Sequence, residues 1–145
     1  MRVRVKKLNA NASMPIYATD GSACFDLVAC TDKAITVNPR SKENIGTGLA
    51  FEIPANHVML VFSRSGHGFK HDMRFVNCVG VIDSDYRGEV RVGLRNDGIS
   101  PYIVQPNERI AQAIILPYPS IQLVESDVLS DTERGVNGFG STGKN

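Results

Sequence analysis

The sequence is poor in the features that mark several large classes of protein. It contains no tryptophan, and its three cysteines, Cys24, Cys30 and Cys78, are an odd number without CxxC spacing, which argues against a disulfide framework and a zinc site. The formal net charge of +1 provides no field that would attract nucleic acid or an anionic membrane. No window approaches the ~20 consecutive apolar residues of a transmembrane helix. We therefore expect a soluble, cytoplasmic protein with reduced thiols and with neither a nucleic-acid nor a membrane partner.

Long periodic segments are also scarce, and this indicates the fold class. No stretch longer than about ten residues keeps a helical period, and short apolar runs are separated by Gly, Pro, Asn and Asp at intervals of roughly 8 to 12 residues. This pattern is typical of an all-β protein, and we predict a jelly-roll-like β-barrel or sandwich. The predicted strands are residues 3–8, 24–29, 34–37, 44–53, 57–63, 75–82, 89–96, 102–105, 109–117 and 121–124. One helix of one or two turns is predicted at Ser65–His71.

Residues 77–96 set two acids, Asp83 and Asp85, and a tyrosine in a turn between two apolar runs. We predict a β-hairpin here, with a buried strand at residues 79–82 and a half-exposed strand at residues 90–94. A carboxylate held in the connecting turn and partly desolvated can act as a general base, because an ordinary Asp with a pKa of about 3.9 is a poor proton acceptor at neutral pH. The spacing does not choose between Asp83 and Asp85, and a plain solvated turn would have the same composition.

A strand that ends in Arg64, Ser65 and Gly66 leads into the predicted helix. A hydroxyl, a guanidinium and free backbone N–H groups at such a corner are the ingredients of an anion or phosphate site. The spacing of a P-loop is missing. His67 and His71 are four residues apart, but without a third ligand we expect ordinary surface histidines rather than a metal pair.

The last dozen residues form a glycine-rich run that contains Phe139, Ser141 and Thr142. Backbone N–H groups and hydroxyls in such a run can wrap a phosphate, and Phe139 can stack on a nucleobase. A frayed end with a chance phenylalanine also accounts for this composition.

Together, five segments resemble, in order, the motifs of the trimeric dUTP pyrophosphatase family, and the resemblance covers nearly the whole chain. They are residues 18–27 (ATDGSACFDL), 64–66 (RSG), 80–89 (GVIDSDYRGE), 108–112 (ERIAQ) and 134–143 (RGVNGFGSTG). The resemblance implies hydrolysis of dUTP to dUMP and pyrophosphate, which limits uracil incorporation into DNA and supplies dUMP for thymidylate synthesis.

For the third motif, the resemblance implies that Asp83, rather than Asp85, orients and activates the water that attacks the α-phosphate. Tyr86 would pack under the deoxyribose, where a flat ring leaves no room for a 2′-hydroxyl. The uracil would bind at Asn77 and at the strand edge that follows it. That edge comprises Gly80, Val81 and Ile82.

For the first, second and fourth motifs, the resemblance implies roles at the phosphates and at their magnesium ion. Arg64, Ser65 and Gly66 would hold them, and Gln112 would lie near the α-phosphate and the water. Asp26 would help to position a hydrated Mg²⁺ ion that the triphosphate itself binds, so no cage of protein ligands is expected.

The resemblance also implies an arm and an assembly. Residues 1–133 would form the β-barrel domain, and residues 134–145 would form a flexible arm that closes an active site of a neighbouring subunit. Arg134 would pair with the γ-phosphate and Phe139 would stack on uracil. The other arm residues of the site would be Gly138, Gly140, Ser141 and Thr142. The expected assembly is a homotrimer with sites shared between subunits.

The chain departs from the family pattern at five positions. Ser63 stands where relatives often have proline, and the other four positions stand where they often have glycine. These four are Asp72, Val76, Asn107 and Asn137. Because Asn is the usual substitute for glycine at positive φ, we expect Asn107 and Asn137 to keep the backbone path. Asp72 and Val76 lie on the approach to Asn77 and leave the degree of selectivity over dCTP, TTP and UTP open.

Two further functions are compatible with the same scaffold. A dCTP deaminase shares the fold, but the glycine-rich arm and the DSDYRG sequence favour the hydrolase. A binding or signalling protein would show an inserted segment or a broken motif, and the sequence has neither. A partner-binding role can still exist as a second function.

Overall fold

The computed structural model describes residues 1–138, which fold into twelve β-strands and one short α-helix. The strands are β1 (Arg4–Lys7), β2 (Ile16–Tyr17), β3 (Phe25–Val28), β4 (Ile35–Val37), β5 (Lys42–Gly46), β6 (Leu49–Glu52), β7 (His57–Phe62), β8 (Met73–Phe75), β9 (Val79–Ile82), β10 (Arg91–Asn96), β11 (Tyr102–Val104) and β12 (Arg109–Pro117). The helix α1 spans Ser65–His71. The all-β prediction and the position of the helix are confirmed. Within this part of the chain, no helix has the length and apolar character needed to cross a membrane.

Two sheets form most of the body. A five-stranded antiparallel sheet has the order β2-β3-β12-β7-β9, and a three-stranded sheet has the order β5-β10-β8. The pairs β1-β6 and β11-β4 form two smaller sheets. The apolar faces of these elements meet in one core, in which Leu27, Ile45, Met59, Leu94 and Ile110 are buried. Burial of one face of each sheet against another layer is what stabilises such an architecture.

Alternation of apolar and polar residues sets the faces of the strands. In β10, Val92 and Leu94 are buried while Arg91 is exposed, as a period of two requires. In β3, by contrast, neighbouring residues are both buried, and these include Leu27 and Asp26. A carboxylate is rarely buried unless it is paired. Asp26 therefore marks a place where the core meets a polar site.

Two predicted strands are each split in the structure. Residues 44–53 form β5 and β6 because Gly48 turns the chain with a φ of +67°, and a Cβ at that position would lie 2.8 Å from Cys30 Sγ. Residues 75–82 form β8 and β9, separated by a turn in which Cys78 has a φ of +58°. The β-forming residues in each segment indicated one continuous strand, but a residue with left-handed backbone interrupts each of them.

After β12, the described chain contains no further strand or helix up to residue 138. The predicted strand at residues 121–124 is therefore wrong. Ile121 and Leu123 are 73% and 88% exposed, and β propensity without a partner strand does not form a sheet. The strand β2 was not predicted, because two residues are too few to show alternation.

The hairpin predicted at residues 77–96 is wrong in its pairing. β9 pairs with β7, whereas β10 pairs with β5 and β8, so the two strands belong to different sheets. Residues 83–90 therefore cross from one sheet to the other. β9 is also less buried than predicted, with Val81 60% exposed. The sequence pattern indicates where strands lie but not which strands pair, because consecutive strands can join one sheet or two.

Candidate active site

A cavity of about 290 Å³ lies where β7 ends and α1 begins, and we name it the arginine cavity. Its lining residues are Ala18, Ser22, Ala23, Cys24, Asp26, Arg64, Ser65, Gly66 and Gln112. The strand β12 lies between β3 and β7, so Gln112 is paired with Asp26 on one side and Phe62 on the other. This pairing brings to one place the residues of the first, second and fourth motifs that were predicted to act at the phosphates and their magnesium ion.

The Asp26 carboxylate holds two guanidinium groups beside the arginine cavity. Its Oδ1 lies 3.2 Å from Arg64 Nε, and its Oδ2 accepts a hydrogen bond of 3.1 Å from Arg109 Nη1. Arg64 Nη1 also donates to the Arg109 carbonyl oxygen at 3.3 Å. A carboxylate that is only 7% exposed is tolerated because it is paired in this way. Two cations for one anion leave the group with an excess of positive charge, which favours an anionic ligand.

The other side chains of the arginine cavity are arranged to meet a ligand. A Cβ added at Gly66 would meet nothing within 4 Å, so the glycine leaves open space beside the backbone and is not required for packing. Gln112 Nε2 donates to the Ser63 carbonyl oxygen at 3.1 Å. This bond fixes the amide and leaves its oxygen available as an acceptor.

A second cavity, of about 280 Å³, lies at the crossing from β9 to β10, and we name it the Asp83 cavity. Its lining residues are Val81, Ile82, Asp83, Tyr86, Glu89, Val90 and Arg91. The Tyr86 hydroxyl donates to the Glu89 carbonyl oxygen at 3.0 Å, and a Cβ at Gly88 would clash with that hydroxyl. Glycine at this position therefore allows the Tyr86 ring to take its place in the cavity wall.

Asp83, but not Asp85, lines the Asp83 cavity. The Asp83 side chain is exposed, and within residues 1–138 it makes no hydrogen bond. Its carbonyl oxygen accepts from the Tyr86 N–H at 3.2 Å, which fixes the turn. The partial desolvation expected for a general base is not supplied by the described part of this chain.

The two cavities lie at opposite ends of the β7-β9 pair. β9 runs antiparallel to β7, with Phe62 opposite Val79 and Met59 opposite Ile82. The arginine cavity follows Phe62, whereas Asp83 follows Ile82, so about four residues, or roughly 13 Å of strand, separate the two levels. The cavities share no lining residue. Each is also slightly smaller than the ~300 Å³ at which small-molecule sites usually begin.

Other predicted site residues lie outside both cavities. Asn77 is exposed at the end of β9 nearest Phe62, in the turn that contains Cys78, and its carbonyl oxygen accepts from the Val79 N–H at 2.5 Å. Gly80 faces Val61 closely, since a Cβ there would lie 3.2 Å from the Val61 Cβ.

The predicted arm is only partly described. Arg134 Nε donates to the Asn137 carbonyl oxygen at 2.8 Å, and neither Arg134 nor Gly138 lines the arginine cavity or the Asp83 cavity. The remaining predicted arm residues lie outside the described residues. These are Phe139, Gly140, Ser141 and Thr142.

The departures from the family pattern have local explanations. Asn107 and Asp72 have φ values of +61° and +53°, as expected where a glycine is replaced. Asn137 is not among the residues with positive φ in the described chain, so left-handed backbone does not explain the substitution there. Val76 faces Gly93, where a Cβ would lie 3.1 Å from its Cγ2, so a glycine on the neighbouring strand makes room for it. The contact that Ser63 makes to Gln112 uses only its carbonyl oxygen, which a proline would also provide.

Several residues around the arginine cavity were not predicted from the sequence. Cys24 and Arg109 lie in recognised motifs, and Cys24 is two residues from Asp26, the spacing that puts two side chains on one face of a strand. His67 was predicted to be a surface histidine, but it is 5% exposed and its Nε2 lies 2.9 Å from Glu108 Oε1. No local pattern could have revealed that contact, because the two residues are 41 positions apart.

Asp26 can serve a hydrated cation, although it cannot form a metal site alone. Within residues 1–138, no three His, Cys, Asp or Glu side chains are grouped to hold a metal ion. Each Asp26 oxygen faces one guanidinium and has a further lone pair for a water molecule. A magnesium ion that keeps its water and is held by a polyphosphate fits this donor set.

These features define an all-β protein whose one described helix starts at an arginine-lined cavity. A sequence profile described as dUTPase matches residues 10–143, and the chain belongs to the dUTPase family. The family resemblance seen in the five motifs is therefore confirmed.

Individual relatives match over the whole chain. The deoxyuridine 5'-triphosphate nucleotidohydrolase of Nautilia profundicola is 46% identical over 144 residues, which cover 99% of this chain and 100% of the relative. That of a Hydrogenobaculum species is 40% identical over 143 residues and covers 99% of both chains. Among solved structures, a mutant dUTPase of Staphylococcus bacteriophage 80alpha with dUpNHpp has a TM-score of 0.90 and 28% identity, and covers 98% of each chain. This likeness confirms the predicted dUTPase-like architecture.

Proposed function

We propose that this protein hydrolyses dUTP to dUMP and pyrophosphate. The proposal is carried by the match over the whole chain to deoxyuridine 5'-triphosphate nucleotidohydrolases, in a chain whose Asp83 and Tyr86 line one cavity. The phage dUTPase structure with dUpNHpp supports a deoxyuridine nucleotide as the ligand.

We assign Asp83 as the group that orients and activates water. The water oxygen attacks the α-phosphorus, its proton passes to the Asp83 carboxylate, and the bond from the α-phosphorus to the α,β-bridging oxygen breaks to release pyrophosphate. Gln112 is assigned to the α-phosphate and the attacking water. The fixed amide of Gln112, with its free oxygen, supports this role.

The nucleoside is assigned to β9 and the crossing that follows. Asn77 and the strand edge bind the uracil, and the Tyr86 ring excludes a 2′-hydroxyl because it presents a flat surface without a polar partner for that group. The strand edge consists of Gly80, Val81 and Ile82. Exposure of Val81, at 60%, leaves this edge open to a ligand.

The phosphates are assigned to the arginine cavity, where Arg64, Ser65 and Gly66 bind them. Mg²⁺ is the proposed cofactor, and when bound it supplies neutralisation of charge on the phosphate oxygens. Asp26 would accept a hydrogen bond from a water of that ion. Its buried, doubly paired position supports a fixed acceptor.

The separation of the two cavities supports a homotrimer with shared sites. Asp83 has to reach the α-phosphate of a nucleotide whose phosphates lie in an arginine cavity, and about 13 Å of strand separate the two levels within one chain. A neighbouring copy can bring its arginine cavity to the exposed Asp83. The exposed apolar side chains after β12, such as Leu123 and Leu129 at 88% and 84%, also support contact with another subunit.

The first test offers dUTP, dCTP, TTP and UTP with magnesium and measures pyrophosphate and ammonia separately. Pyrophosphate from dUTP alone is the expected result. Ammonia from dCTP would instead identify a deaminase. If no nucleotide gave a product, the remaining interpretation would be a binding protein.

Subunit mixing tests the shared site. Asp83→Asn and Arg64→Ala homotrimers should each be nearly inactive, but random exchange between them should restore about a quarter of the wild-type rate, because one pairing in four joins two intact halves. If the mixture stays inactive although exchange is shown by native mass spectrometry, both halves of the site come from the same chain.

The arm is proposed to close the site. Deletion of residues 134–145 should abolish turnover while the trimer mass in light scattering stays unchanged. An unaffected rate would remove Arg134, Gly138 and the residues after them from the site. Those residues are Phe139, Gly140, Ser141 and Thr142.

A further inference from the structure

Helix α1 carries residues of the arginine cavity but has almost no apolar anchor. Ser65 and Gly66, its first two residues, are exposed, and Phe69 is 93% exposed. The one buried residue of the helix is His67. A helix of seven residues is not stable by itself, so contacts with the rest of the chain must hold it in place.

His67 makes polar contacts with two side chains from outside the helix. Its Nε2 lies 2.9 Å from Glu108 Oε1 and 3.1 Å from the Tyr102 hydroxyl. Tyr102 donates to the same Glu108 oxygen at 2.5 Å, and Glu108 Oε2 accepts from the Gln105 N–H at 2.8 Å. A carboxylate accepts hydrogen bonds, so His67 donates to Glu108 from Nε2.

The protonation states of the partners agree with this geometry. Burial by itself would raise the pKa of Glu108, but the hydrogen bonds from Tyr102 and His67 outweigh it and lower that pKa from its ordinary value. Burial, together with the hydrogen bond to Glu108 and its charge, raises the pKa of Tyr102 well above its usual range. At neutral pH, Glu108 is therefore an acceptor and Tyr102 a donor.

The rings hold the helix along its length. His67 meets the Tyr102 ring edge to face, with centroids 5.5 Å apart and an interplanar angle of 85°. His71, one turn further along α1, lies 4.9 Å from the same ring. Residues four apart share one face of a helix, so Tyr102 contacts α1 at two points.

The segment that carries Glu108, at the start of β12, also holds Arg64. Glu108 is followed by Arg109, which pairs with Asp26 and whose carbonyl oxygen accepts from Arg64. Glu108 therefore ties the buried face of α1 to the segment that fixes the guanidinium at its start. His67 Nδ1 is buried and has no partner among the described residues, which is a cost that a purely apolar side chain would avoid.

We propose that His67 is a positioning residue for triphosphate binding: through Glu108 and Tyr102 it holds α1 in the orientation in which Arg64, Ser65 and Gly66 receive the β- and γ-phosphates. The inference rests on the proposed function and extends it to a residue that touches no ligand. A role in packing alone would affect stability and binding of every ligand equally, whereas positioning affects the phosphates beyond the first.

The test compares two ligands that differ in these phosphates. For His67→Leu, we expect binding of dUpNHpp to weaken about tenfold and the KM for dUTP to rise with it, while binding of dUMP stays within about twofold of wild type. Thermal stability should change little, since leucine removes the unpaired nitrogen. His67→Gln, whose amide can still donate to Glu108, should recover most of the lost affinity. Calorimetry for both ligands and steady-state kinetics measure these effects.

Two further variants test the positioning role independently of His67→Leu. Tyr102→Phe removes only the hydroxyl, so dUpNHpp binding should weaken about threefold with dUMP binding unchanged, even if His67→Leu does not fold. His57→Leu, a half-buried histidine on β7 outside both cavities, is the control and should behave as wild type.

Equal losses for dUMP and dUpNHpp, or no loss for either, would overturn the positioning role. If the wild type fails to hydrolyse dUTP, the proposed function is wrong, whereas an active wild type with an unaffected His67→Leu refutes only the inference.

Discussion

The arginine cavity and the Asp83 cavity are of nearly equal size, but the side chains assigned a role in each are held by the chain to different degrees. In the arginine cavity, Asp26, Arg64 and Gln112 all make hydrogen bonds or ion pairs within the chain. In the Asp83 cavity, Asp83 is exposed and Tyr86 is 45% exposed with one side-chain bond. The difference teaches that the fold of one chain fixes the side chains proposed to bind phosphate, whereas it leaves the group proposed for the chemistry exposed.

The largest expected effect is at Asp83. Asp83→Asn should fold and bind dUpNHpp but lose about a thousandfold in kcat, because the amide cannot accept the proton of the attacking water. Asp85→Asn, in the same turn but outside the cavity, is the matched control and should keep most of the rate. Single-turnover kinetics measure both. A wild-type kcat for Asp83→Asn would show that the water is activated elsewhere.

A smaller effect is expected when the arginine cavity loses its buried carboxylate. Asp26→Ala should release both guanidinium groups from their fixed positions and raise the KM for dUTP roughly 30-fold, with little change in dUMP affinity. Asp20→Ala, an exposed acid in the same motif, is the control. If the KM were unchanged, the organisation seen within one chain would not be what binds the phosphates.

A still smaller effect is expected at Tyr86, which is proposed to select the sugar. Tyr86→Ala should raise kcat/KM for UTP about tenfold while lowering it for dUTP, because the cavity would gain room for a 2′-hydroxyl. Tyr86→Phe keeps the ring and should retain discrimination. The ratio of the two specificity constants is the quantity to measure. An unchanged ratio in Tyr86→Ala would remove this ring from sugar selection.

The smallest effect is on stability. Cys78 has a φ of +58°, a left-handed conformation that costs a side chain about 1 kcal/mol relative to glycine. Cys78→Gly should therefore raise the free energy of unfolding by about that amount in urea, whereas Cys78→Ala should not. A destabilised glycine variant would mean that the thiol contributes more than its backbone costs.

Much of the fold was predictable because periodicity records which residues are buried. β10 shows the expected alternation, and β12 has the predicted bounds. Strand partners were not predictable, since the choice between pairing β9 with β10 or with β7 is made by the packing of whole sheets.

The candidate site was predictable where its residues lie in a short motif, as at Arg64 and Ser65. The choice of Asp83 over Asp85 needed the family resemblance. The contact of His67 with Glu108 could not be predicted from the sequence, because it joins residues 41 positions apart. The local sequence around His67 is equally compatible with an exposed histidine.

The distance between the two cavities along β7 has a consequence for how activity depends on concentration. If a complete site needs two copies of the chain, a folded monomer is inert, and dilution below the assembly constant removes activity more steeply than it removes protein. Newly made chains would then be inactive until their concentration is high enough for assembly. The catalytic rate per chain would report on how much of the protein is present.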